Sequence, residues 1–262
     1  MTIQDLLKKK AEGKKITMLT AYDYPFARMV DEAGIDIVLV GDSVAMVVQG
    51  RENTLPVTMD EMIYHAKMVR RGVKDALIVG DMPFLSYQLS IEESIRNAGR
   101  FIKEAGAQAV KIEGGLEMIY VVQALTRSEI PVMAHIGLTP HAVNRMGYKV
   151  QGRDEKAAKR LIEEARALEE AGAFAVVIEA VPMELAGKIT AALDIPTIGI
   201  GAGPHVDGQV LVLHDVLGLF DRFLPKFAKR YADLRSEGLK AVRAFKEEVE
   251  KGEFPSDKES FK

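Results

Sequence analysis

The sequence contains no cysteine. Disulfide bonds, zinc sites with cysteine ligands and thiol nucleophiles are therefore excluded. No apolar run approaches the roughly 20 residues that a membrane-spanning helix requires. Residues 1–10 carry lysines but no apolar stretch, so we expect no secretory signal. These absences predict a soluble, cytoplasmic protein with no membrane partner.

The charged residues are mixed along the chain. Its 35 Lys and Arg residues are balanced by 38 Asp and Glu residues, which gives a formal net charge of −3. Proteins that bind nucleic acid usually concentrate positive charge on one surface, so we expect no nucleic acid partner. The length of 262 residues suits one barrel of roughly 250 residues or two small domains.

Short apolar runs alternate with amphipathic stretches of helical period. Such continuous runs are typical of parallel strands that are buried on both faces. The predicted strands are Ile16–Ala21, Ile37–Gly41, Ala76–Gly80, Ala109–Ile112, Pro131–Ala134, Ala175–Ile178, Thr197–Gly199 and Val210–Leu213. Repetition of this strand–helix unit favours an α/β fold of the (β/α)8 TIM barrel type, with a doubly wound open sheet as the alternative.

Two capping boxes mark helix starts between these strands. They are Thr58-x-x-Glu61 and Ser90-x-x-Glu93, in which hydroxyl and carboxylate bind free N–H groups of the first turn. Further predicted helices span 2–12, 154–171 and 234–252. Because no linker or low-complexity tract interrupts the chain, we predict one barrel domain over residues 1–262, with a short N-terminal helix and a C-terminal helical extension.

Acidic and polar residues follow the predicted strands. They are Asp42 and Ser43 after the second strand, Asp81 after the third, Glu113 after the fourth, His135 after the fifth and Glu179 after the sixth. In a barrel these strand ends open onto one face, where active sites are built. Each residue could instead cap a helix. Four carboxylates together, however, repel one another and call for a cation. Oxygen ligands favour a hard ion, Mg2+ rather than Zn2+.

Lys111 lies inside the fourth predicted strand, two residues before Glu113. Strand alternation places both side chains on one face, and a buried ammonium group is costly unless it is paired or used. Three roles are open: an ion pair with a carboxylate, a cation that receives a substrate carboxylate or enolate, and a Schiff-base lysine. The neighbouring acids would keep the amine protonated and weakly nucleophilic, which counts against the third.

A glycine-rich segment and several histidines complete the candidates. Residues 199–203 read Gly-Ile-Gly-Ala-Gly, but Pro204 stands where the dinucleotide fingerprint needs its third glycine. We interpret these glycines as allowing a tight turn and the close approach of a ligand. His65, His141, His205 and His214 lack the spacing of a metal-binding pair, and we assign them no role.

A series of short motifs runs along the chain almost from end to end. These motifs are Thr20-Ala21-Tyr22-Asp23, Val40-Gly41-Asp42-Ser43, Gln49-Gly50, Thr54-Leu55-Pro56-Val57-Thr58, Val110-Lys111-Ile112-Glu113-Gly114-Gly115, His135-Ile136-Gly137-Leu138-Thr139-Pro140, Tyr148-Lys149-Val150-Gln151-Gly152-Arg153, Ile198-Gly199-Ile200-Gly201-Ala202-Gly203 and Pro225-Lys226-Phe227-Ala228-Lys229. Together and in this order they resemble the ketopantoate hydroxymethyltransferase family, and their number makes the resemblance highly specific.

The resemblance implies a barrel of the phosphoenolpyruvate/isocitrate lyase-like group, assembled as a homodecamer of two pentameric rings. It implies transfer of a hydroxymethyl unit from the co-substrate 5,10-methylenetetrahydrofolate to the 2-oxo acid 3-methyl-2-oxobutanoate. The products would be 2-dehydropantoate and tetrahydrofolate, in pantothenate biosynthesis. The reaction would pass through an enolate stabilised by one Mg2+ per subunit.

The resemblance also implies roles for individual residues. Asp42 and Asp81 would bind the metal and the substrate, and Glu113 would act at the metal directly or through water. Ser43 and Lys111 would hold the substrate, and Glu179 would be the catalytic base. His135 matches a family position near the site and receives no definite role.

Two other functions remain as alternatives at this point. A Mg2+-dependent C–C lyase or aldolase of the same superfamily would use the same metal–enolate chemistry but would not need folate. A barrel that serves only as a scaffold or binding subunit would have no need for Asp42, Asp81, Lys111, Glu113 and Glu179 to occur together.

Overall fold

The computed structural model describes residues 1–147 and 149–262, and the side chains of all of these except residues 145 and 146. Tyr148, which belongs to one of the family motifs, lies outside the described residues. Eight parallel strands close into a barrel in sequence order, with the last strand paired to the first. The strands are β1 (Ile16–Thr20), β2 (Ile37–Val40), β3 (Leu77–Asp81), β4 (Ala109–Glu113), β5 (Val132–Gly137), β6 (Ala175–Glu179), β7 (Thr197–Ile200) and β8 (Gly208–Leu211). The closed order confirms the (β/α)8 barrel and excludes the doubly wound sheet.

Two strands differ clearly from their predicted bounds. Strand β5 continues to Gly137, where it pairs with Glu179 of β6; the His and Gly at its end hid this extension in the sequence. Strand β8 begins at Gly208, two residues before the predicted start. A Cβ atom at Gly208 would lie 2.5 Å from the carbonyl oxygen of Ile16, so close contact with β1 requires a residue that lacks a side chain.

Within residues 1–212 helices cover the outside of the barrel, and several of the helices of the chain begin at a side-chain cap. The α-helices are α1 (Ile3–Ala11), α2 (Tyr24–Glu32), α3 (Val44–Val47), α4 (Met59–Gly72), α5 (Ile91–Lys103), α6 (Ile119–Arg127), α7 (Val143–Met146), α8 (Glu155–Glu170), α9 (Met183–Ala191), α10 (Leu213–Val216) and α11 (Leu234–Lys251). Thr58 and Glu61 form the predicted reciprocal capping box. At α5 the Ser90 hydroxyl accepts a hydrogen bond from the backbone N–H of Glu93. This is one of the two hydrogen bonds that the second predicted capping box comprises.

The barrel interior is filled by side chains at alternate strand positions, as the two-residue period of a strand requires. Ile16, Ile37 and Leu77 belong to this core. Met18, Leu39 and Val79 lie two residues further along the same strands and are also buried in it. Leu6 of α1 joins the same cluster. The apolar interior therefore occupies the amino-terminal half of the barrel and supports the side chains at the carboxyl end of the strands.

The chain forms two compact units, residues 1–212 and residues 213–262. The first contains the whole barrel. The second contains α10 and α11, and α11 starts at its cap Asp233 and ends at Gly252, which adopts a left-handed conformation with φ 72°. One domain over residues 1–262 stays a prediction. Within residues 1–147 and 149–262, no helix combines the length and apolarity needed to cross a membrane.

Candidate active site

The inward positions of the strands change from apolar to charged at the carboxyl end of the barrel. On β3 the inward side chains are Leu77, Val79 and then Asp81. On β4 they are Ala109, which belongs to the apolar core, and then Lys111 and Glu113. At the carboxyl end the cluster consists of Asp42, Asp81, Lys111, Glu113, His135, His141 and Glu179, all with side chains no more than 14% exposed. The structure thus brings together the predicted acidic residues and the predicted lysine.

Lys111 forms the centre of this cluster. Its Nζ lies 2.5 Å from Asp81 Oδ1 and 3.7 Å from Glu113 Oε1, so Lys111 and Glu113 share one face as strand alternation predicted. Burial tends to lower the pKa of Lys111, but the adjacent carboxylates outweigh it and the pKa is raised. The amine therefore stays protonated, which agrees with the argument against a Schiff-base role.

Asp81 serves as the ion-pair partner of Lys111. Its other oxygen, Oδ2, accepts the backbone N–H of Asp42 at 3.3 Å. Burial raises the pKa of Asp81 to about 6, with Lys111 opposing the shift and Asp42 adding to it. Both oxygens of Asp81 thus contact donors of the protein, and direct metal ligation by this residue stays a prediction.

Asp42 contacts the ring of His141. Asp42 Oδ2 lies 3.1 Å from His141 Nε2, and the backbone N–H of His141 donates to Glu113 Oε2 at 2.9 Å. Burial tends to raise the pKa of Asp42, but the hydrogen bond to His141 and the charges of His141 and Lys111 lower it overall. His141, which received no role from sequence reasoning, therefore belongs to the site.

His135 connects Glu113 with Glu179. Strand register places it opposite Glu113, and its Nδ1 lies 3.8 Å from Glu113 Oε1. Its Nε2 lies 3.2 Å from Glu179 Oε2, although the alignment does not make a hydrogen bond. Burial, together with Lys111, lowers the pKa of His135 to about 3. The ring is therefore neutral at physiological pH.

Glu179 stands at the end of β6, on the far side of His135 from Glu113. Burial raises the pKa of Glu179 to about 8, with Lys111 opposing and Asp42 adding to the shift. Gly137 of β5 lies beside it with φ 93°, and a Cβ atom there would lie 2.3 Å from the carbonyl oxygen of Glu179. A glycine is needed for this approach. The result is a weakly acidic carboxyl group that can accept a proton near neutral pH.

Ser43 lies at the edge of the cluster, directly after Asp42. Its Oγ is 2.8 Å from the hydroxyl of Tyr22, and Tyr22 is buried. A Cβ atom at Gly41 would lie 2.9 Å from Ser43 Oγ. The serine hydroxyl is therefore held in a defined position instead of rotating freely. Its predicted contact with substrate stays a prediction.

The glycine-rich segment after β7 makes the predicted turn. Gly201 and Gly203 have φ values of 64° and 76°, which glycine adopts without strain. A Cβ atom at Gly203 would lie 2.2 Å from Cβ of Met183 in α9. Packing against α9 thus accounts for Gly203, and the approach of a ligand to this segment stays a prediction.

Sequence reasoning missed two residues of the site, His141 and Tyr87. Tyr87 is buried, and its hydroxyl lies 3.0 Å from His141 Nδ1. Because β5 ends at Gly137 and not at the predicted Ala134, His141 follows the strand end by only four residues. A correct strand boundary would have placed His141 at the mouth of the barrel. No comparable signal marks Tyr87.

The donor set fits a divalent cation. Ligand atoms of Asp42, Glu113 and His141 all lie within 4.8 Å of one another. Within the described part of the chain, the buried Oε1 of Glu113 has no hydrogen-bond partner. Burial raises the pKa of Glu113 despite the opposing charges of His141 and Lys111. Excess negative charge and an unpaired buried oxygen are the conditions that a bound cation relieves.

A sequence model of the family described as ketopantoate hydroxymethyltransferase matches residues 1–257. The chain belongs to this family. Among its relatives is the 3-methyl-2-oxobutanoate hydroxymethyltransferase of Geobacter sulfurreducens, 58% identical over 261 residues, or 99% of this chain and 98% of the relative. The Clostridium botulinum protein of the same name is 55% identical over 262 residues, covering 100% of this chain and 95% of the relative. Family membership confirms the resemblance seen in the motifs, and with it the prediction of an enzyme.

Solved structures at low sequence identity have a similar fold. A phosphonopyruvate hydrolase complex with oxalate and Mg2+ superposes with a TM-score of 0.64 at 15% identity, covering 99% of this chain and 93% of that chain. A 2,3-dimethylmalate lyase, named as a member of the PEP mutase/isocitrate lyase superfamily, gives a TM-score of 0.57 at 19% identity and covers 100% and 92%. These similarities confirm the barrel fold.

Proposed function

We propose that this chain transfers a hydroxymethyl unit from 5,10-methylenetetrahydrofolate to 3-methyl-2-oxobutanoate, with uptake of one water molecule. The products are 2-dehydropantoate and tetrahydrofolate. The observation that carries this proposal is the arrangement at the barrel mouth in a chain of this family: Lys111 and a cation-binding donor set on one side of His135, and Glu179 on the other.

Asp42 and Glu113 would hold one Mg2+ ion, with Asp81 as the third predicted ligand. When bound, the ion would supply a Lewis acid that polarises the keto group of the substrate and makes the neighbouring C–H bond more acidic. Asp81 would also orient Lys111, because its Oδ1 contacts the lysine Nζ at 2.5 Å. Such support fixes the direction of the ammonium group before the substrate arrives.

Lys111 and Ser43 would hold the substrate, with Lys111 binding its carboxylate. The lysine is buried and protonated, so it provides a fixed positive charge for an anionic 2-oxo acid. Ser43 adds a hydroxyl that Tyr22 keeps in place. Both groups would bind the substrate without taking part in proton transfer.

Glu179 would remove the proton from C3 of the substrate. Its raised pKa of about 8 makes it a stronger base than an exposed carboxylate, and general bases work best when their pKa lies near the working pH. His135 lies 3.2 Å from Glu179 Oε2 and would keep the carboxyl group pointing into the mouth. The carbanion so formed at C3 would make the new carbon–carbon bond to the one-carbon unit that the folate supplies. Both bonds from the methylene carbon to the folate nitrogens would break, water would supply the hydroxyl oxygen, and the two nitrogens would leave protonated as tetrahydrofolate.

The proton-removal step can be tested by NMR of 3-methyl-2-oxobutanoate in D2O with the protein and Mg2+. We expect loss of the C3 proton signal, prevented by EDTA. Glu179→Gln should slow this exchange by about 100-fold to 10,000-fold, while Glu184→Gln, a change on the exposed surface of α9, should leave it unaltered. Exchange at the native rate in Glu179→Gln would remove this residue from the role of base.

A second assay tests the folate donor. We expect 2-dehydropantoate only when 5,10-methylenetetrahydrofolate is present, with tetrahydrofolate formed in equal amount. Carbon–carbon cleavage of a 2-hydroxy or 2-oxo diacid without folate would support the lyase alternative. The homodecamer and the cytoplasmic location belong to the same proposal, and the mass of the native particle in solution tests the first of them.

A further inference from the structure

The hydroxyl of Tyr87 has a complete set of hydrogen-bond partners. It lies 3.0 Å from the backbone N–H of Glu113, 3.2 Å from the carbonyl oxygen of Glu113 and 3.0 Å from His141 Nδ1. A phenol donates one hydrogen bond and accepts two. Because the N–H can only donate and the carbonyl can only accept, the hydroxyl donates to the carbonyl. Its second lone pair then accepts a hydrogen from His141 Nδ1.

This arrangement fixes what His141 presents to Asp42. With one hydrogen on Nδ1, the hydrogen bond from Nε2 to Asp42 Oδ2, 3.1 Å away, needs a second ring proton, and without that proton Nε2 turns a lone pair toward the oxygen. Two lone pairs at this distance repel each other unless a proton or a metal ion lies between or beside them. Histidines that bind metals are held in this way, with the second ring nitrogen donating to a fixed acceptor.

A second observation points to the same place. Glu113 Oε1 is buried and, within residues 1–147 and 149–262, lacks a hydrogen-bond partner. The other oxygen of Glu113 accepts the backbone N–H of His141 at 2.9 Å, which ties the loop carrying the histidine to the carboxylate. One ligand atom from each of Asp42, Glu113 and His141 lies within 4.8 Å of the other two. The side chain of His141 is only 6% exposed.

We propose that His141 Nε2 is a direct ligand of the metal ion, together with carboxylate oxygens of Asp42 and Glu113. The inference rests on the proposed function in that it concerns the same ion site. It changes the chemistry of that site, because an imidazole nitrogen favours borderline transition ions over Mg2+, which prefers oxygen. The site of this chain therefore binds Co2+ more tightly than Mg2+, and His141 determines the preference.

The nitrogen ligand can be detected in the native protein loaded with Mn2+ alone. Electron spin echo envelope modulation reports a 14N nucleus bound directly to the paramagnetic ion. We expect this modulation in the native protein and in His205→Gln, a control at an exposed histidine, and its loss in His141→Gln. Absence of directly bound nitrogen in the native protein would overturn the proposal, as would its survival in His141→Gln.

The metal preference gives an independent measurement. Titration with Co2+, followed by its visible absorption, should show an affinity at least about 100-fold weaker in His141→Gln, since loss of outer-shell partners alone costs about 10–100-fold. Mg2+ affinity, measured by displacement of Mn2+, should change by less than about tenfold, because the oxygen ligands remain. Equal losses for both ions would contradict the proposal.

The supporting tyrosine provides a second variant. Tyr87→Phe removes the acceptor behind His141 Nδ1 and should weaken Co2+ binding by about 10-fold to 100-fold while the 14N modulation persists. Unchanged Co2+ affinity in Tyr87→Phe would contradict the argument from the hydroxyl. None of these measurements includes the 2-oxo acid or folate, so they are independent of whether the transferase reaction occurs. The native-protein spectrum also decides the matter if His141→Gln does not fold.

Discussion

The two ends of the barrel use carboxylates in opposite ways. At the amino end, Asp36 accepts the N–H and the hydroxyl of Thr17 at 2.9 and 3.1 Å and pairs with Lys9 at 2.5 Å. Asp207 repeats the arrangement with Thr197 and Lys10 at 2.8 to 3.0 Å. At the carboxyl end, Glu113 keeps a buried oxygen without a hydrogen-bond partner among the described residues.

The difference separates structural carboxylates from reactive ones. A carboxylate whose lone-pair sites are mostly taken by donors of the protein stabilises the fold and has little left to offer a ligand. A buried carboxylate with free lone pairs is costly to the fold, and that unfavourable energy is what a cation, a proton or a substrate can relieve. The same residue type thus contributes to stability at one end of the barrel and, under the proposed function, to chemistry at the other.

The largest predicted effect comes from a matched pair of substitutions, one at each end. Asp42→Asn should lower turnover by about three orders of magnitude, because several kcal/mol of metal-ion stabilisation would be lost. Asp36→Asn should leave turnover unchanged and reduce the free energy of unfolding by about 1–3 kcal/mol, since it breaks a hydrogen-bonded ion pair. Steady-state kinetics and urea unfolding measure the two. Loss of activity in Asp36→Asn without loss of stability would break the comparison.

The pH dependence of C3 proton exchange should follow the ionisation of Glu179. Its pKa is raised to about 8, so the basic form increases as pH rises, and kcat/KM should grow about tenfold per pH unit below the pKa and then level off. A bound cation favours the carboxylate, so in the Mg2+-loaded protein the midpoint should lie below this value. A rate that falls as pH rises toward the midpoint would assign the step to another group.

Stability should respond to pH with opposite signs at Glu179 and at Asp31. The folded pKa of Glu179 lies above its ordinary value of 4.5, so the folded state retains a proton that the unfolded state releases. Stability therefore falls as pH rises from about 4.5 to about 8, and Glu179→Gln should remove this loss, gaining on the order of 5 kcal/mol at high pH and nothing at low pH.

Asp31 is the opposite case and serves as the comparison. It accepts the backbone N–H groups of Lys74, Asp75 and Ala76 at 2.8 to 3.0 Å. Burial tends to raise its pKa, but these hydrogen bonds outweigh burial and lower it. Its contribution is present above the ordinary pKa of 3.8 and is lost as pH falls below that value. Asp31→Asn should therefore destabilise the protein equally at about pH 5 and about pH 9, as thermal unfolding in EDTA would measure.

The smallest predicted effect concerns Tyr22, which holds Ser43 at 2.8 Å. Tyr22→Phe should raise KM for the 2-oxo acid about fivefold, equivalent to the roughly 1 kcal/mol of one hydrogen bond, with kcat little changed. Tyr120→Phe, at an exposed tyrosine, is the matched control. If Tyr22 acts through Ser43, adding Tyr22→Phe to Ser43→Ala should raise KM no further.

The barrel could be predicted from sequence because its strands are buried on both faces and run as continuous apolar segments. The acidic residues were also visible, since each follows such a segment directly. The end of β5 could not be predicted, because His135 and Gly137 interrupt the apolar pattern while the backbone pairing with β6 continues.

Contacts between distant loops could not be predicted from the sequence either. His141 meets Asp42 across 99 positions of the chain, and no local pattern encodes that distance. Tyr87 likewise sits in a loop after β3, and only its position against Glu113 reveals its importance. The pairing of Lys111 with Asp81 was left among three alternatives, because strand register decides which carboxylate lies beside the amine.

The inward alternation of the strands has a consequence for redesign of the protein. On β3 the apolar positions Leu77 and Val79 lie below Asp81, and on β6 Ala175 and Val177 lie below Glu179. We therefore expect that the last inward position can be exchanged without disturbing the packing beneath it. Solved structures at 14–19% identity share this barrel fold under different reaction names, which agrees with that expectation. Redesign of the reaction could begin at this uppermost layer of inward side chains and leave the apolar core below it unchanged.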